Sequence, residues 1–297
     1  MSAPREIRHH QVTVGEHRVH VAESGDPDGR PVLFLHGWPE SWRAWAPVMA
    51  QAGDRARTLA LDLPGVGESA GPSDGSTADL ARIVHEVAVA LHLRPLTLAG
   101  HDIGGMVAYS YLRLYPDVDR VVIMDIVLPG VDPWEEFLRL PVLWHFAFHN
   151  VPGLPEHLVR GHQAEYFRYF YETLAARPGA ITGPARDDFA AAYASGAALT
   201  ASFAWFRAFT RDAEANRDLA AGPPVTTPLL YLRGDQERGG DIAGYVAGLR
   251  AAGVTNLEQA TVPGCGHFPH EEAPGLLWKL IARFAGLEAG WRPPASG

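Results

Sequence analysis

Short apolar runs, rich in β-branched and aliphatic residues, recur along the chain, and each ends in a turn or a loop carrying reactive side chains. Residues 12–14 and 19–22 alternate apolar and polar positions, the pattern of an opening antiparallel pair. Residues 31–36, Pro-Val-Leu-Phe-Leu-His, are nearly all apolar, as a strand buried on both faces requires. Residues 57–61, 96–99, 121–124 and 229–232 read the same way. Helical stretches separate them, notably 77–91 and 105–114. Strands that alternate with helices imply crossover connections and a mainly parallel sheet. The fold class is therefore α/β, and its chemistry is expected beyond the carboxyl ends of the strands.

Between Pro129 and Asp218 the pattern changes. Buried-strand runs vanish, and aromatic residues and histidines crowd in, among them Trp134, His145, Phe146, Phe170, Trp205 and Phe206. Breaks at 151–155 and 177–179 divide this stretch into helical pieces, and strand-type sequence resumes at Val225. The expected organisation is a core of residues 1–128 and 219–297 interrupted by a helical insertion, 129–218. The Pro-rich end, 292–297, reads as a frayed tail.

Composition narrows the function classes. The 297 residues carry 25 Lys+Arg against 34 Asp+Glu, a formal net charge of −9, which argues against nucleic acid as a partner. No apolar run reaches the length of a membrane span, and the first ten residues lack a signal-type apolar stretch. The single cysteine, Cys265, excludes an internal disulfide framework and a cysteine-based zinc site. A soluble, cytoplasmic enzyme is the expectation. His9, His10, His17 and His20 are read as exposed strand residues rather than metal ligands, and no metal is expected.

The densest chemical signal is residues 98–105, Leu-Ala-Gly-His-Asp-Ile-Gly-Gly, in which a buried strand runs through small residues into a helix. This is the setting of a nucleophile elbow, with Asp102 where serine usually stands. Its bland alternative is a helix N-cap aspartate. A carboxylate nucleophile attacks carbon and leaves an ester that a second step must hydrolyse. A second loop, 36–42, follows another buried strand. The backbone amides of Trp38 and Ile103 would form an oxyanion hole, and the Trp38 indole is either an aromatic wall or a donor to a leaving group. His267, in the Gly-rich loop after the last strand, completes the order nucleophile, acid, histidine. Two carboxylates compete to orient it. Asp125 ends the strand 121–124, and Glu237 follows the strand 229–232. The apolar neighbours of Asp125 favour it, because an ionised group there needs a partner.

With these residues assembled, the chain resembles the α/β-hydrolase superfamily, in its epoxide hydrolase and haloalkane/haloacetate dehalogenase branch. The resemblance runs from His36-Gly-Trp-Pro to Gly266-His267. It implies Asp102 as nucleophile, His267 as base, a helical cap between the two core segments, and a cis bond between Trp38 and Pro39. Residues 124–129, Met-Asp-Ile-Val-Leu-Pro, look like the segment that carries the triad acid in some members, which supports Asp125 over Glu237. The cap of epoxide hydrolases usually sets two hydrogen-bond donors over the nucleophile. Leu143-Trp-His-Phe146 resembles the first cap position and makes His145 one donor, with Phe146 in the pocket. The second position falls on Phe206, which cannot donate, so Trp205 is the substitute donor. The arginines that clamp haloacids just after the nucleophile are replaced here by Ile103 and Met106.

The reading that follows is an epoxide hydrolase acting on a small hydrophobic, uncharged epoxide, with water as co-substrate and no cofactor. A haloalkane or haloacid dehalogenase with the same triad is the alternative. A non-catalytic ligand-binding homologue is a third, kept alive by Phe206. No membrane partner is expected, and a homodimer is left open.

Overall fold

The computed structural model describes residues 6–239 and 241–288. The 292–297 tail lies outside the described residues. Eight strands form one sheet: β1 (Arg8–Val14), β2 (His17–Gly25), β3 (Pro31–Leu35), β4 (Arg57–Leu61), β5 (Thr97–His101), β6 (Arg120–Met124), β7 (Leu229–Gly234) and β8 (Leu257–Val262). Their order across the sheet is β1-β2-β4-β3-β5-β6-β7-β8. The opening pair is antiparallel, as the alternation at 12–14 and 19–22 predicts, and β3 to β8 run parallel.

The nearly all-apolar strands follow from burial on both faces. In β3, Leu33 and Leu35 enter one core while Val32 and Phe34 enter the other, and β7 divides Leu229 and Tyr231 from Leu230 and Leu232 in the same way. Side chains two apart share a face, so each face needs its own helical cover. Helices α1 (Ala46–Ala52) and α13 (Pro274–Phe284) cover one side through Val48, Met49, Leu277, Trp278 and Ile281. Helices α2 (Thr77–Ala90), α3 (Ile103–Leu114) and α11 (Ile242–Ala251) cover the other. Ser76 caps α2 by accepting from the Asp79 N–H, which fixes its start.

Between β6 and β7 the chain makes a wholly helical excursion: α4 (Trp134–Phe137), α5 (Trp144–His149), α6 (Leu154–Val159), α7 (Gln163–Leu174), α8 (Gly183–Ala192), α9 (Gly196–Arg207) and α10 (Phe209–Ala220). Its aromatic residues Phe167, Phe170, Phe203 and Phe206 join the same apolar cluster as α2 and α3. Helix α12 (Pro269–Glu272) follows the loop after β8. Among the described residues no single helix is long and apolar enough to cross a membrane.

The opening histidines depart from expectation. His17 and His20 are buried, and His20 Nδ1 pairs with Asp62 Oδ2 at 2.9 Å. Residues of the loop after β4 cover this part of β2: His17 Nε2 lies 2.6 Å from the Pro72 carbonyl oxygen, and the His20 N–H donates to Ser69 Oγ at 2.9 Å.

Candidate active site

The carboxyl ends of β3, β5, β6 and β7 and the loop after β8 converge on one small cavity. Asp102, Asp125, Glu237, His267, His145, Trp38, Phe146 and Phe206 all line it. The cavity volume is about 50 Å³.

Asp102 joins β5 to α3 in a left-handed backbone conformation, φ 49° and ψ −124°. Such a conformation is costly for any residue with a Cβ and concentrates at functional sites. The turn is possible because the residues two before and two after Asp102 are glycines: a Cβ on Gly100 would lie 2.1 Å from the Gly104 carbonyl oxygen. Asp102 occupies the N-cap position of α3, but its side chain makes no capping hydrogen bond, so capping does not account for its carboxylate. Its Oδ1 instead accepts from the Trp38 N–H at 2.8 Å. A Cβ on Gly37 would come 2.5 Å from Asp102 Cβ, so this close approach also depends on glycine. Ile103 opens α3, where the first amides of a helix have no partner within it. The Trp38–Pro39 bond is cis.

His267 Nε2 stands 3.8 Å from Asp102 Oδ2. The histidine loop is clamped on all sides. The His267 N–H donates to the Leu174 carbonyl at the end of α7. Glu272 Oε1 accepts from the amides of Gly266 and Phe268 at 3.0 and 3.3 Å. The His267 carbonyl accepts from His101 Nε2 at 2.7 Å.

Of the two carboxylates offered for this histidine, Glu237 is the one within ion-pair distance, its Oε2 lying 3.5 Å from Nδ1. Asp125 lines the same cavity, yet its Oδ1 is taken by the Gly234 N–H at 2.9 Å and its Oδ2 has no hydrogen-bond partner among the described residues. Burial, reinforced by the neighbouring Glu237 charge, pushes the Asp125 carboxyl well above its usual range. Glu237 moves the other way: burial opposes ionisation, but the His267 charge and contact outweigh it and lower its pKa. His267 is pulled down by burial and raised by Glu237, with the net shift upward from about 6.5. Glu237 thus stands nearer the histidine than the favoured Asp125, at ion-pair distance and without a hydrogen bond, since Glu237 Oε2 and His267 Nδ1 are also without a hydrogen-bond partner among the described residues. The Gly234 amide holds the shorter side chain, while the longer glutamate arrives from the loop after β7.

The cap-side expectations divide. His145 and Phe146, on α5, line the cavity, and so does Phe206 on α9. Burial pulls the His145 pKa down to about 3, so its ring is neutral and carries one N–H. Its plane is stacked on Trp38, 12° from parallel with centroids 6.0 Å apart. Trp205 is not among the lining residues. Successive residues on a helix diverge by about 100°, so with Phe206 turned to the cavity, Trp205 is buried beside His36, at a ring distance of 6.5 Å. The expected Trp205 donor is therefore withdrawn from the site.

A match to the alpha/beta hydrolase fold family spans residues 30–274. The chain belongs to that family. The hydrolase is 28% identical over 290 residues to a soluble epoxide hydrolase of Corynebacterium sp. (strain C12), covering 94% of this chain and 97% of that one. Epoxide hydrolase 1 of Caenorhabditis elegans is 24% identical, over 90% of this chain and 67% of its own. Among solved structures, wild-type Cfl2 from Burkholderia cenocepacia superposes with a TM-score of 0.86 at 34% identity, over 94% of this chain and 95% of that one. The ligand-free epoxide hydrolase CorEH follows at 0.83 and 25%, over 95% and 100%.

Two features of the hydrolase's site escaped the sequence reading. The first is a buried trio beneath the elbow. Glu40 accepts from His101 Nδ1 at 3.0 Å and from His270 Nε2 at 2.7 Å. Both partners of His101, Glu40 and the His267 carbonyl, only accept, so both its ring nitrogens carry hydrogen and it is an imidazolium. Its pKa is raised accordingly: burial opposes the charge, and Glu40 prevails. Glu40 is lowered well below its usual range against the cost of burial. The available signal was the density of polar residues in 36–42 and 98–102. The second is Arg233, the last charged residue of an otherwise apolar strand, which also lines the cavity.

Proposed function

We propose that this hydrolase opens an epoxide to a vicinal diol through an ester on Asp102. The observation that carries the reading is the double engagement of Asp102, whose Oδ1 is held by the Trp38 amide at 2.8 Å while Oδ2 faces His267 Nε2 at 3.8 Å. One oxygen is pinned by a backbone amide, and the histidine that would activate water stands at the other. The epoxide hydrolase relatives add support.

In the first half, an Asp102 carboxylate oxygen forms a bond to an epoxide carbon as that carbon's bond to the ring oxygen breaks. The electron pair stays on oxygen as an alkoxide, which the neutral His145 ring N–H stabilises and which takes up a proton from solvent. Trp38 lies parallel to His145, and its Nε1–H has no acceptor among the described residues, so it is the second donor in place of the unavailable Phe206. In the second half, His267 takes a proton from water, and the oxygen of that water attacks Asp102 Cγ. The ester carbonyl oxygen gathers charge against the amides of Trp38 and Ile103. Collapse breaks the bond from Cγ to the former Asp102 oxygen that now bridges to the substrate carbon, and that oxygen takes the proton from His267 and leaves with the diol. Asp102 regains its carboxylate, and the proton it releases balances the one taken up earlier. Glu237 orients His267 and stabilises its charged form. Burial and the neighbouring Glu237 charge disfavour ionisation of Asp125, which leaves Glu237 as the carboxylate that pairs with the imidazolium. Helices in residues 129–218 act as a cap that excludes bulk water.

A single turnover in ¹⁸O-water tests this directly. The label is expected in Asp102, with a diol that is unlabelled at first turnover. Label appearing in the first diol formed would mean direct attack by water and would overturn the ester.

A further inference from the structure

Tyr231 and Arg233 share a face of β7, two residues apart, and point to the side where the active-site cavity lies. Arg233 is only 3% exposed. Its guanidinium carbon sits 4.5 Å over the Tyr245 ring, and Nη1 donates to the Tyr231 hydroxyl at 3.3 Å. Nη2 has no acceptor among the described residues, and no carboxylate among them comes within ion-pair distance of the group. A guanidinium keeps its charge in proteins, and burying it without a bonded anion is expensive. The surroundings keep this donor open. A Cβ on Gly239 would fall 2.7 Å from Nη2 and 2.5 Å from Phe137 Cε2, so only glycine leaves that space free. Gly239 and Phe137 line the same cavity as Asp102 and His267.

We infer that Arg233 receives a carboxylate of the substrate. Resting on the proposed ring opening at Asp102, this makes the substrate class a short epoxy acid, with its oxirane at Asp102 and its carboxylate on Nη2. Besides the catalytic groups, Asp125 and Glu237, the wall carries apolar side chains such as Met106, Ile126, Val127 and Phe146. An uncharged chain would occupy that wall and leave the arginine unpaired, whereas a carboxylate completes it with charge-assisted bonds. Sites built to hydrogen-bond a polar group discriminate strongly against analogues that lack it. The clamp comes from β7, not from the positions after the nucleophile that Ile103 and Met106 occupy. On this inference the substrate is charged, unlike the uncharged epoxide expected from the sequence.

The guanidinium also favours the ionised form of Glu237, so the test must separate recognition from that influence. Binding of butanoate and butanamide to the intact protein is measured by calorimetry, in wild type, Arg233→Met and Gly239→Ala. Wild type is expected to bind butanoate at least tenfold more tightly than butanamide. Arg233→Met loses that preference. Gly239→Ala, which leaves the guanidinium in place and sets a methyl against it, reduces the preference and decides the matter if the methionine variant does not fold. The ratio of kcat/KM for 3,4-epoxybutanoate over 1,2-epoxybutane should fall in parallel; a purely electrostatic role on Glu237 would lower both rates and leave the ratio unmoved. Equal binding of the two probes by wild type, or a preference that survives both substitutions, overturns the inference. If 1,2-epoxybutane is opened while butanoate shows no preference, the epoxide reading stands without the carboxylate. If butanoate binds through Arg233 while no epoxide reacts, the carboxylate site stands and the epoxide reading fails.

Discussion

Glu237 Oε2 lies 3.5 Å from His267 Nδ1, on the side of the ring opposite the 3.8 Å approach of Nε2 to Asp102. The imidazole thus stands between two carboxylates; in the proposed mechanism Glu237 orients it, and Asp102 carries the ester attacked by the water it deprotonates. Because Glu237 raises its pKa above about 6.5, His267 is available as a base only at higher pH than a free histidine. Turnover should rise with pH along an acid limb above that value. Glu237→Gln should move the limb to lower pH and cut kcat by about 10²-fold, in the range for losing an acid–base component. Asp125→Asn, which replaces a carboxyl whose ionisation burial and Glu237 already disfavour, should move the limb less. A pH profile of kcat for the three proteins checks this, and an unmoved limb in Glu237→Gln would remove Glu237 from its role.

Glu40 is fully buried between His101 and His270, and removing one partner of a buried charged set strands the others. Glu40→Ala should cost about 3–5 kcal/mol of unfolding free energy, read from urea denaturation. The His267 carbonyl hangs on His101, so the same variant should also slow ester hydrolysis. A loss below about 1 kcal/mol, typical of a solvated pair, would mean the trio contributes little.

The strain at Asp102 can be isolated by comparing two variants that both lack the carboxylate. At φ 49° glycine is at ease and alanine is not. Asp102→Gly should therefore be more stable than Asp102→Ala by about 1–3 kcal/mol, with neither forming an ester. Equal thermal stability of the two would show an unstrained elbow.

Phe146 and Phe206 separate the inner cavity from an outer groove of about 590 Å³ that is lined by Trp134, Leu138, Trp144 and Arg217 as well. Phe146→Ala should join the two spaces. The ratio of kcat/KM for a bulky over a small epoxide is expected to rise about tenfold, the discrimination of a few apolar carbons in a pocket. An unchanged ratio would place the size limit elsewhere.

The strands and the elbow were legible because each leaves a local pattern: apolar runs for burial on both faces, and Gly-His-Asp-Ile-Gly for a turn that only small neighbours permit. What was not legible depends on distances across the fold. Asp125 and Glu237 both end strands, and nothing in their spacing says that the Gly234 amide ties down one while the other reaches the histidine. Trp205 and Phe206 differ by a single step of helical rotation, which an alignment of aromatic residues does not fix. Arg233 did leave a signal, a charge inside an apolar strand, and its meaning came only from the open side at Gly239.

The covalent ester on Asp102 is the claim from which the rest follows, and the intact mass of a His267→Gln variant exposed to epoxides tests it most directly. Without its base the second half-reaction stalls, and the protein is expected to gain the mass of one whole epoxide, located at Asp102 by peptide mapping. A protein that turns over epoxide as wild type yet gains no such adduct in this variant would contradict the account.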